Sequence, residues 1–284
     1  MSPRPARSPI GSDAHPWLTA ALGLYVALAL VLGGASQDND GFDLILRLAG
    51  LPALAMGGLR LGAGLVRIFC PPEAAPIIAP AIEAIMLTPF SNAEALARET
   101  EAMDALVIGP AAGLDEMTVA NIGAASQGGA ALVIDADGLS VFKGRTADLF
   151  AVLDRDDVLT PHEGEFERLF PGLMDQGREK AALEASRRAQ AVVVLKGFET
   201  IIAAPDGRCA VNPNGSPWLA TAGSGDVLSG MIGGLLAQRM DSFDAACAAT
   251  WIHAQAASAF GPGMISEDLP EMLPRVLMSL WKPD

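Results

Sequence analysis

Short apolar runs alternate with amphipathic stretches along most of this chain, and polar or glycine-rich residues follow each run. Apolar runs within residues 104–108, 131–134, 158–159 and 191–195 predict buried strands. Helical spacing between them gives the β-α-β rhythm of a parallel sheet. We therefore predict an α/β fold with a mainly parallel sheet and helices on both faces. Its ligands should bind at the carboxyl ends of the strands.

Other stretches complete this prediction. Residues 201–204 and 209–211 read as a hairpin around a Pro-Asp-Gly-Arg turn. Asn92 is the predicted cap of a helix over residues 92–103. The remaining predicted strands are 65–69 and 83–87, and the remaining predicted helices are 43–66, 179–190, 227–238, 243–260 and 269–280.

The first 57 residues fit this pattern least well. Residues 1–16 carry several prolines and are predicted to form a disordered arm. The almost wholly apolar residues 17–35 resemble a signal peptide or a marginal membrane span, whereas residues 26–32 also fit a buried first strand. The downstream pattern favours the strand. We therefore predict one domain over residues 17–284 and no membrane partner.

Composition narrows the class of protein. The chain has 284 residues, which suits one large α/β domain. It carries 33 acidic against 19 basic residues, with no basic run beyond its start, and this argues against nucleic acid as a partner. Cys70, Cys209 and Cys247 are far apart and form no metal or disulfide pattern, so a reducing cytoplasm is the expected compartment.

The stretch 220–230 (Ala-Thr-Ala-Gly-Ser-Gly-Asp-Val-Leu-Ser-Gly) carries the strongest chemical signal. Gly223, Ser224 and Gly225 allow a tight turn that aims backbone N–H groups at one anion before an apolar helix. Asp226 follows in the first turn, where the helix dipole is expected to keep it ionised and able to accept a hydroxyl proton. The alternative is a plain glycine turn in which Asp226 is the N-cap.

Three further motifs follow predicted strands: Asp135-Ala-Asp137, Thr160-Pro-His-x-x-Glu165 and Lys196-Gly-x-x-Thr200. Glu165 is read either as a contact to Mg²⁺ through water or as an ordinary helix-start carboxylate. Lys196 either offsets phosphate charge or reaches solvent. One of the two aspartates is expected to assist the metal and the other to cap a turn. His253 lies inside an apolar helix and is expected to be a satisfied core group.

Together with Gln238, these motifs resemble the ADP- or ATP-dependent NAD(P)H-hydrate dehydratases, a ribokinase-like repair family. The resemblance covers residues 59–280. It implies a ribokinase-like fold, Mg²⁺ as cofactor, and ADP or ATP as the co-substrate. It also implies that the S-epimer of hydrated NADH or NADPH is returned to the normal cofactor. The choice between ADP and ATP and the formation of a homo-oligomer stay open.

The resemblance also implies a role for individual residues. Asp226 would be the catalytic base that activates the C6 hydroxyl of the hydrate, and Glu165 the contact to Mg²⁺. The implied substrate-binding residues are Gly109, Gly113, His162 and Asp226. The implied nucleotide-binding residues are Lys196, Gly197, Phe198, Glu199, Thr200, Gly223, Ser224 and Gly225.

Two departures from the family pattern bear on activity. The family's Gly-Pro-Gly-x-Gly is Gly-Pro-Ala-Ala-Gly here, and the methyl group of Ala111 is expected to narrow the substrate's approach. The family's early Gly-Gly-Ser and Gly-Ala loops are matched poorly by residues 33–36 and 41–42, and Pro52 interrupts a predicted helix. Residues 17–57 are therefore either diverged or translated from a shifted reading frame.

Two rival functions share parts of this site. A ribokinase-like kinase of a small alcohol or vitamin precursor would keep Asp226 and the anion site but release a stable phosphate ester. The Thr-Pro-His-x-x-Glu motif weighs against it. An inactive nucleotide-binding relative, or a membrane-tethered one, would explain the altered loop at residues 109–113 and the apolar segment at 17–35.

Overall fold

The computed structural model describes residues 27–31 and 65–281. Nine strands of this part form one sheet in the order β3-β2-β1-β4-β5-β6-β7-β8-β9. The first seven are parallel, and β8 and β9 are added antiparallel at one edge. The strands are β1 Ala27–Val31, β2 Leu65–Cys70, β3 Met86–Pro89, β4 Ala105–Ile108, β5 Ala131–Ile134, β6 Val158–Leu159, β7 Val192–Leu195, β8 Ile201–Ala203 and β9 Cys209–Val211.

The inner strand β1 comes from the apolar segment at residues 17–35. It pairs in parallel with β2, where Ala27 faces Leu65, and with β4, where Leu28 faces Ala105. The strand interpretation of this segment is therefore confirmed for residues 27–31. The described helices include none that is long and apolar enough to cross a membrane. The predictions for residues 1–26 and 32–64, including the loops at 33–36 and 41–42 and the helix around Pro52, lie outside the described residues.

Helices connect these strands, and some of them begin or end away from the predicted positions. The helix expected over 92–103 begins after its predicted cap, Asn92, whose side chain accepts from the Ala95 N–H, but ends at Thr100. The strand expected at 83–87 is β3, which starts at Met86. The helices are α1 Ala75–Ile78, α2 Ala93–Thr100, α3 Glu116–Ala125, α4 Asp137–Ser140, α5 Thr146–Phe150, α6 Glu163–Leu169, α7 Arg178–Ala189, α8 Ser224–Ala237, α9 Ser242–Phe260 and α10 Asp268–Leu280.

Both faces of the sheet are covered, which explains why its inner strands are apolar throughout. In β4, Ala105 and Val107 pack into one hydrophobic cluster with α8, α9 and α10. Leu106 and Ile108 point the other way, into a cluster built with α2, α3, α6 and α7. Alternate residues of a strand face opposite sides, so a strand buried on both faces shows no polar alternation. The predicted α/β architecture is thus confirmed.

Candidate active site

A buried ion pair joins the loops that follow β5 and β7. The Lys196 Nζ lies 2.7 Å from Oδ1 of Asp135, whose carboxyl group is completely buried. Ser229 donates a hydrogen bond of 2.6 Å to Asp135 Oδ2. Burial on its own lowers the pKa of Lys196, but the Asp135 and Glu165 carboxylates raise it above its usual value. Lys196 is therefore a fixed, charged group, and the alternative of a lysine that only reaches solvent is wrong.

The start of α8 forms the opposite wall of this site. Gly223 is the N-cap with φ of +80°, and no side chain caps the helix. Ser224, Gly225 and Asp226 are its first three residues, so α8 begins three residues before the predicted start and Asp226 is not the N-cap. A Cβ on Gly225 would lie 3.2 Å from the Lys196 Nζ. Uncapped N–H groups and an ammonium group therefore face one place, which suits an anion.

Asp226 is half-buried beside this anion site, and its protonation differs from the sequence prediction. Burial, reinforced by the charge of Asp135, raises the pKa of Asp226 to about 7, against a smaller opposing effect of Lys196. The helix dipole was expected to keep the carboxylate fully ionised, but desolvation outweighs it. A carboxylate whose pKa lies near 7 is well matched to accept and return a proton at neutral pH.

His162 and Glu165 hold each other at the start of α6. The His162 Nδ1 accepts from the Gly164 N–H at 3.0 Å, and Glu165 Oε2 accepts from the His162 N–H at 2.9 Å. This is a capping box, which fixes the loop after β6. Burial and the charge of Lys196 lower the pKa of His162, while burial raises that of Glu165. The contacts of Glu165 match the helix-start interpretation; its contact with Mg²⁺ stays a prediction.

The loop at residues 109–113 packs directly on the Asp135-Ala-Asp137 turn. Gly109 has φ of +134°, and a Cβ there would lie 1.7 Å from the Asp135 carbonyl oxygen, so only glycine fits. The Gly113 N–H donates to Asp137 Oδ2 at 3.0 Å. Ala111 has φ of +57°, which is unfavourable for a residue with a Cβ. The residue that departs from the family pattern is therefore in a glycine-like conformation.

A cavity of about 280 Å³ lies between the loop after β7, the start of α8 and helix α9. Six of the predicted nucleotide-binding residues line it, namely Lys196, Gly197, Phe198, Thr200, Ser224 and Gly225. Glu199 and Gly223 are not among the lining residues. Neither are Gly109, Gly113, His162 and Asp226, the predicted substrate-binding residues. The cavity therefore contains six of the eight predicted nucleotide-binding residues in its wall, and Asp226 directly follows its lining residue Gly225 in the chain.

Sequence reasoning missed the residue that holds the predicted nucleotide-binding loop. Arg178, the first residue of α7, forms an ion pair with Glu163 and donates to the carbonyls of Lys196 and Glu199, both at 3.3 Å. A Cβ on Gly197 would lie 2.5 Å from its Nη2. The arginine thus fixes the loop backbone without touching the cavity. No local motif marked it, because its partners come from other elements.

Sequence reasoning also missed part of the cavity wall, formed by Asn212, Gly215, Ser216, Thr250, His253 and Ala254 among others. His253 was expected to be a satisfied core histidine, and this is wrong. Its Nε2 has no hydrogen-bond partner among the described residues. The spacing of Thr250, His253 and Ala254 at i, i+3 and i+4 places them on one helix face. That polar stripe on an apolar helix is the signal that would have found them.

The arrangement of the side chains that could be metal ligands decides how Mg²⁺ can bind. Among the residues that the structure describes, no three His, Cys, Asp or Glu side chains are arranged to hold a metal ion. Asp135 is already paired with Lys196 and Ser229, and Asp137 with the Gly113 N–H. The site therefore offers carboxylate oxygens near an anion site but no protein cage. This suits an ion that keeps its waters and is bound largely through phosphate oxygens, as Mg²⁺ commonly is.

The fold and site define a ribokinase-like α/β protein. A solved structure of a ribokinase-like superfamily protein from Enterococcus faecalis superposes with a TM-score of 0.75 at 21% identity, covering 96% of this chain and 92% of that one. The family model described as NAD(P)H-hydrate dehydratase matches residues 30–275. The chain belongs to this family, as its motifs predicted.

Individual relatives agree with this assignment. The bifunctional NAD(P)H-hydrate repair enzyme Nnr of Gloeobacter violaceus is 40% identical over 237 residues, covering 81% of this chain and 44% of the relative. The Salinibacter ruber enzyme of the same name is 34% identical, with 96% and 50% covered. This chain thus spans about half the length of these relatives. The ADP/ATP-dependent NAD(P)H-hydrate dehydratase of Bacillus subtilis, co-crystallised with ATP and Mg²⁺, has a TM-score of 0.73 and 27% identity, with 96% and 95% covered.

Proposed function

We propose that this chain uses ADP or ATP to dehydrate the S-epimer of hydrated NADH or NADPH, restoring the reduced cofactor. The observation that carries the proposal is Asp226, a carboxylate of pKa about 7 beside an anion site between Lys196 and the start of α8. The family membership supports the substrate, and the relative that was crystallised with ATP and Mg²⁺ supports the nucleotide.

The first step is phosphorylation of the hydrate. Asp226 accepts the proton of the C6 hydroxyl as that oxygen bonds to the terminal phosphorus of the nucleotide. The bond from that phosphorus to the bridging oxygen breaks, and AMP or ADP leaves. The N–H groups at the start of α8 and the Lys196 ammonium stabilise the negative charge on the transferring phosphoryl group. His162, neutral and fixed by its capping box, is placed to contact the substrate.

The second step is elimination. The lone pair of the ring nitrogen expels phosphate from C6, and loss of a proton from C5 restores the ring double bond. Phosphate is a far better leaving group than hydroxide, which is why a nucleotide is consumed. Mg²⁺, when bound, neutralises charge on the nucleotide phosphates. Glu165 stays our prediction for its contact through water, and Gly109 and Gly113 for the backbone that faces the substrate.

The test mixes the purified chain with hydrated NADH, Mg²⁺ and either ADP or ATP. We expect the absorbance of reduced nicotinamide to return with release of one free phosphate for each molecule repaired. Asp226→Asn should abolish both signals, a loss of at least about 100-fold. A stable phosphate ester instead of free phosphate would favour the small-alcohol or vitamin-precursor kinase. No recovery by the intact chain would favour the inactive relative.

Three further properties stay predictions. All three cysteines are free in the structure, which agrees with a reducing compartment such as the cytoplasm. Light scattering of the purified chain would decide between a monomer and a homo-oligomer. The net charge of −14 makes nucleic acid an unsuitable partner. We therefore expect no binding to duplex DNA at low salt.

A further inference from the structure

Two buried polar atoms in the cavity wall lack a hydrogen bond to any described residue. They are the Nε2 of His253, whose residue is 4% exposed, and the Oγ of Ser216, whose residue is 7% exposed. Ser216 even occupies the N-cap position of a 3-10 helix, Pro217–Leu219, without capping it. Buried polar atoms are nearly always paired in native proteins, because leaving them unpaired costs free energy. Both atoms belong to residues that line the same cavity, so a ligand there is the natural partner.

The ring of His253 presents Nε2 as an acceptor. Burial lowers the pKa of His253 to about 4, so the imidazole is neutral at pH 7 and carries one N–H. The Ser224 backbone raises this pKa, which is the effect of a carbonyl that accepts a proton from the ring. Nε2 has no partner among the described residues, so Nδ1 is the donor. The Thr250 hydroxyl donates to the Ala246 carbonyl at 2.7 Å and offers Nε2 no proton.

An acceptor of this kind selects one end of a nucleotide. Ionised phosphate oxygens only accept hydrogen bonds, so a bare imidazole nitrogen cannot bind them. The Lys196 ammonium and the start of α8, which line the same cavity, supply the donors that phosphates need. A nucleoside carries the opposite chemistry, because its ribose hydroxyls and the exocyclic amine of adenine donate. The cavity wall therefore presents donors at Gly225, which suit phosphate, and an acceptor at His253, which suits the nucleoside end.

We propose that His253 Nε2 accepts a hydrogen bond from the nucleoside half of the nucleotide co-substrate, either from the adenine amine or from a ribose hydroxyl. This proposal rests on the proposed use of an adenine nucleotide. Through Nδ1, the same ring also joins the nucleoside end to Ser224, the first residue of the anion-binding helix. His253 is thus a residue that determines nucleotide specificity, and it makes no contact with the reacting atoms.

The test uses two substitutions that separate the nitrogens. His253→Asn retains a donor near the position of Nδ1 but removes Nε2, whereas His253→Gln places an amide oxygen near Nε2. Calorimetry would measure binding of ADP, ATP and inorganic pyrophosphate to each folded variant. We expect His253→Asn to weaken ADP and ATP binding about 10-fold or more and pyrophosphate binding less than about 2-fold. We expect His253→Gln to bind ADP more tightly than His253→Asn.

Nucleotide analogues identify the donor on the ligand. Inosine diphosphate lacks the amine, and 2′-deoxy-ADP and 3′-deoxy-ADP each lack one hydroxyl. The analogue that lacks the relevant donor should bind the wild-type chain about 10-fold more weakly than ADP, yet bind His253→Asn about as well as ADP does. Wild-type affinity for all three analogues would overturn the proposal.

Two other results would also overturn it. Unchanged ADP binding by His253→Asn would rule out the proposed contact. The proposed function would still stand, provided that the wild-type chain repairs hydrated NADH. Equal losses for ADP and pyrophosphate would mean that the ring only shapes the start of α8. If the wild-type chain bound neither ADP nor ATP, the proposed function would fail first, and this inference would fail with it.

Discussion

At the scale of single residues, Asp226 couples catalysis to a cost in stability. Its folded-state pKa of about 7 lies above the ordinary 3.8, because burial and the nearby carboxylates of Asp135, Asp137 and Glu165 oppose ionisation more than Lys196 favours it. The folded chain therefore binds this proton more tightly than the unfolded chain does. Through this group, stability is greatest below about pH 4 and falls as the pH rises to about 7.

Asp226→Asn should therefore be inactive but more stable. We expect its free energy of unfolding to exceed that of the wild type by roughly 2–4 kcal/mol at pH 8 and to differ little at pH 4, since one pKa unit is worth about 1.4 kcal/mol. Urea denaturation at both pH values measures this. Gln127→Ala, at an exposed side chain that is not ionisable, is the control, and its difference from the wild type should be the same at both pH values. An equal difference at both pH values would contradict the raised pKa.

Ala111 gives a second prediction at this scale. A residue with a Cβ at φ of +57° loses roughly 1–2 kcal/mol, whereas glycine there loses about 0.4–1 kcal/mol of backbone entropy on folding. Ala111→Gly should therefore raise the free energy of unfolding by about 0.5–1 kcal/mol in urea titrations. Ala112→Gly is the matched control, because Ala112 is buried and has no positive φ, and it should lower stability. A loss of stability in Ala111→Gly would show that the conformation is not strained.

Sequence alone predicted that Lys196 and the start of α8 would lie at one site, but not the protonation of Asp226. Lys196 and Asp226 follow from motifs at a strand end and a helix start. Their pKa values depend on burial, and burial depends on elements such as α9 that are distant in sequence. The free nitrogen of His253 was missed as well, because the spacing of Thr250 and His253 shows two polar residues on one helix face but not whether that face packs on a core or on a cavity.

At the scale of elements, the capping box of α6 separates two roles for Glu165. Glu165→Ala removes the acceptor for the His162 N–H and should lower the free energy of unfolding by about 0.5–2 kcal/mol. Glu165→Gln keeps an acceptor and should stay within about 0.5 kcal/mol of the wild type. If the carboxylate also contacts Mg²⁺, Glu165→Gln should raise the half-saturating Mg²⁺ concentration several-fold. If the half-saturating Mg²⁺ concentration of this folded variant is unchanged, Glu165 only caps the helix and does not contact Mg²⁺.

Element types were predictable because the sheet is covered on both sides. Strands β4, β5 and β7 are apolar runs of four residues, which is too short for an ordinary helix. Polar loops follow their carboxyl ends. The start of α8 was placed three residues late because glycines usually mark a turn. Here Gly223 is the cap and Gly225 is inside the helix, where a Cβ would crowd the Lys196 ammonium at 3.2 Å.

At the scale of the whole molecule, the chain has an acidic net charge yet is proposed to bind anions. The attraction for the anion must therefore come from groups at the site itself and not from the net charge. The cavity lies on the β7-β8-β9 side of the sheet, whereas β2 and β3 form the opposite edge. Nucleotide binding should therefore slow amide hydrogen exchange at residues 196–200, 215–220, 224–228 and 250–254 at short labelling times, which report local opening. The segment at residues 71–85, which precedes β3 and includes α1, should be unaffected.

Mass spectrometry with and without ADP measures this pattern, and pyrophosphate is the matched ligand. Pyrophosphate should protect the start of α8 but not residues 250–254, because it lacks the nucleoside that His253 is proposed to contact. Binding stabilises the folded state as a whole and slows global unfolding, so amides that exchange only at long times will be protected throughout the chain. The short-time difference between the two ligands is therefore decisive. Equal protection of residues 71–85 and 250–254 at short times would place the nucleotide elsewhere.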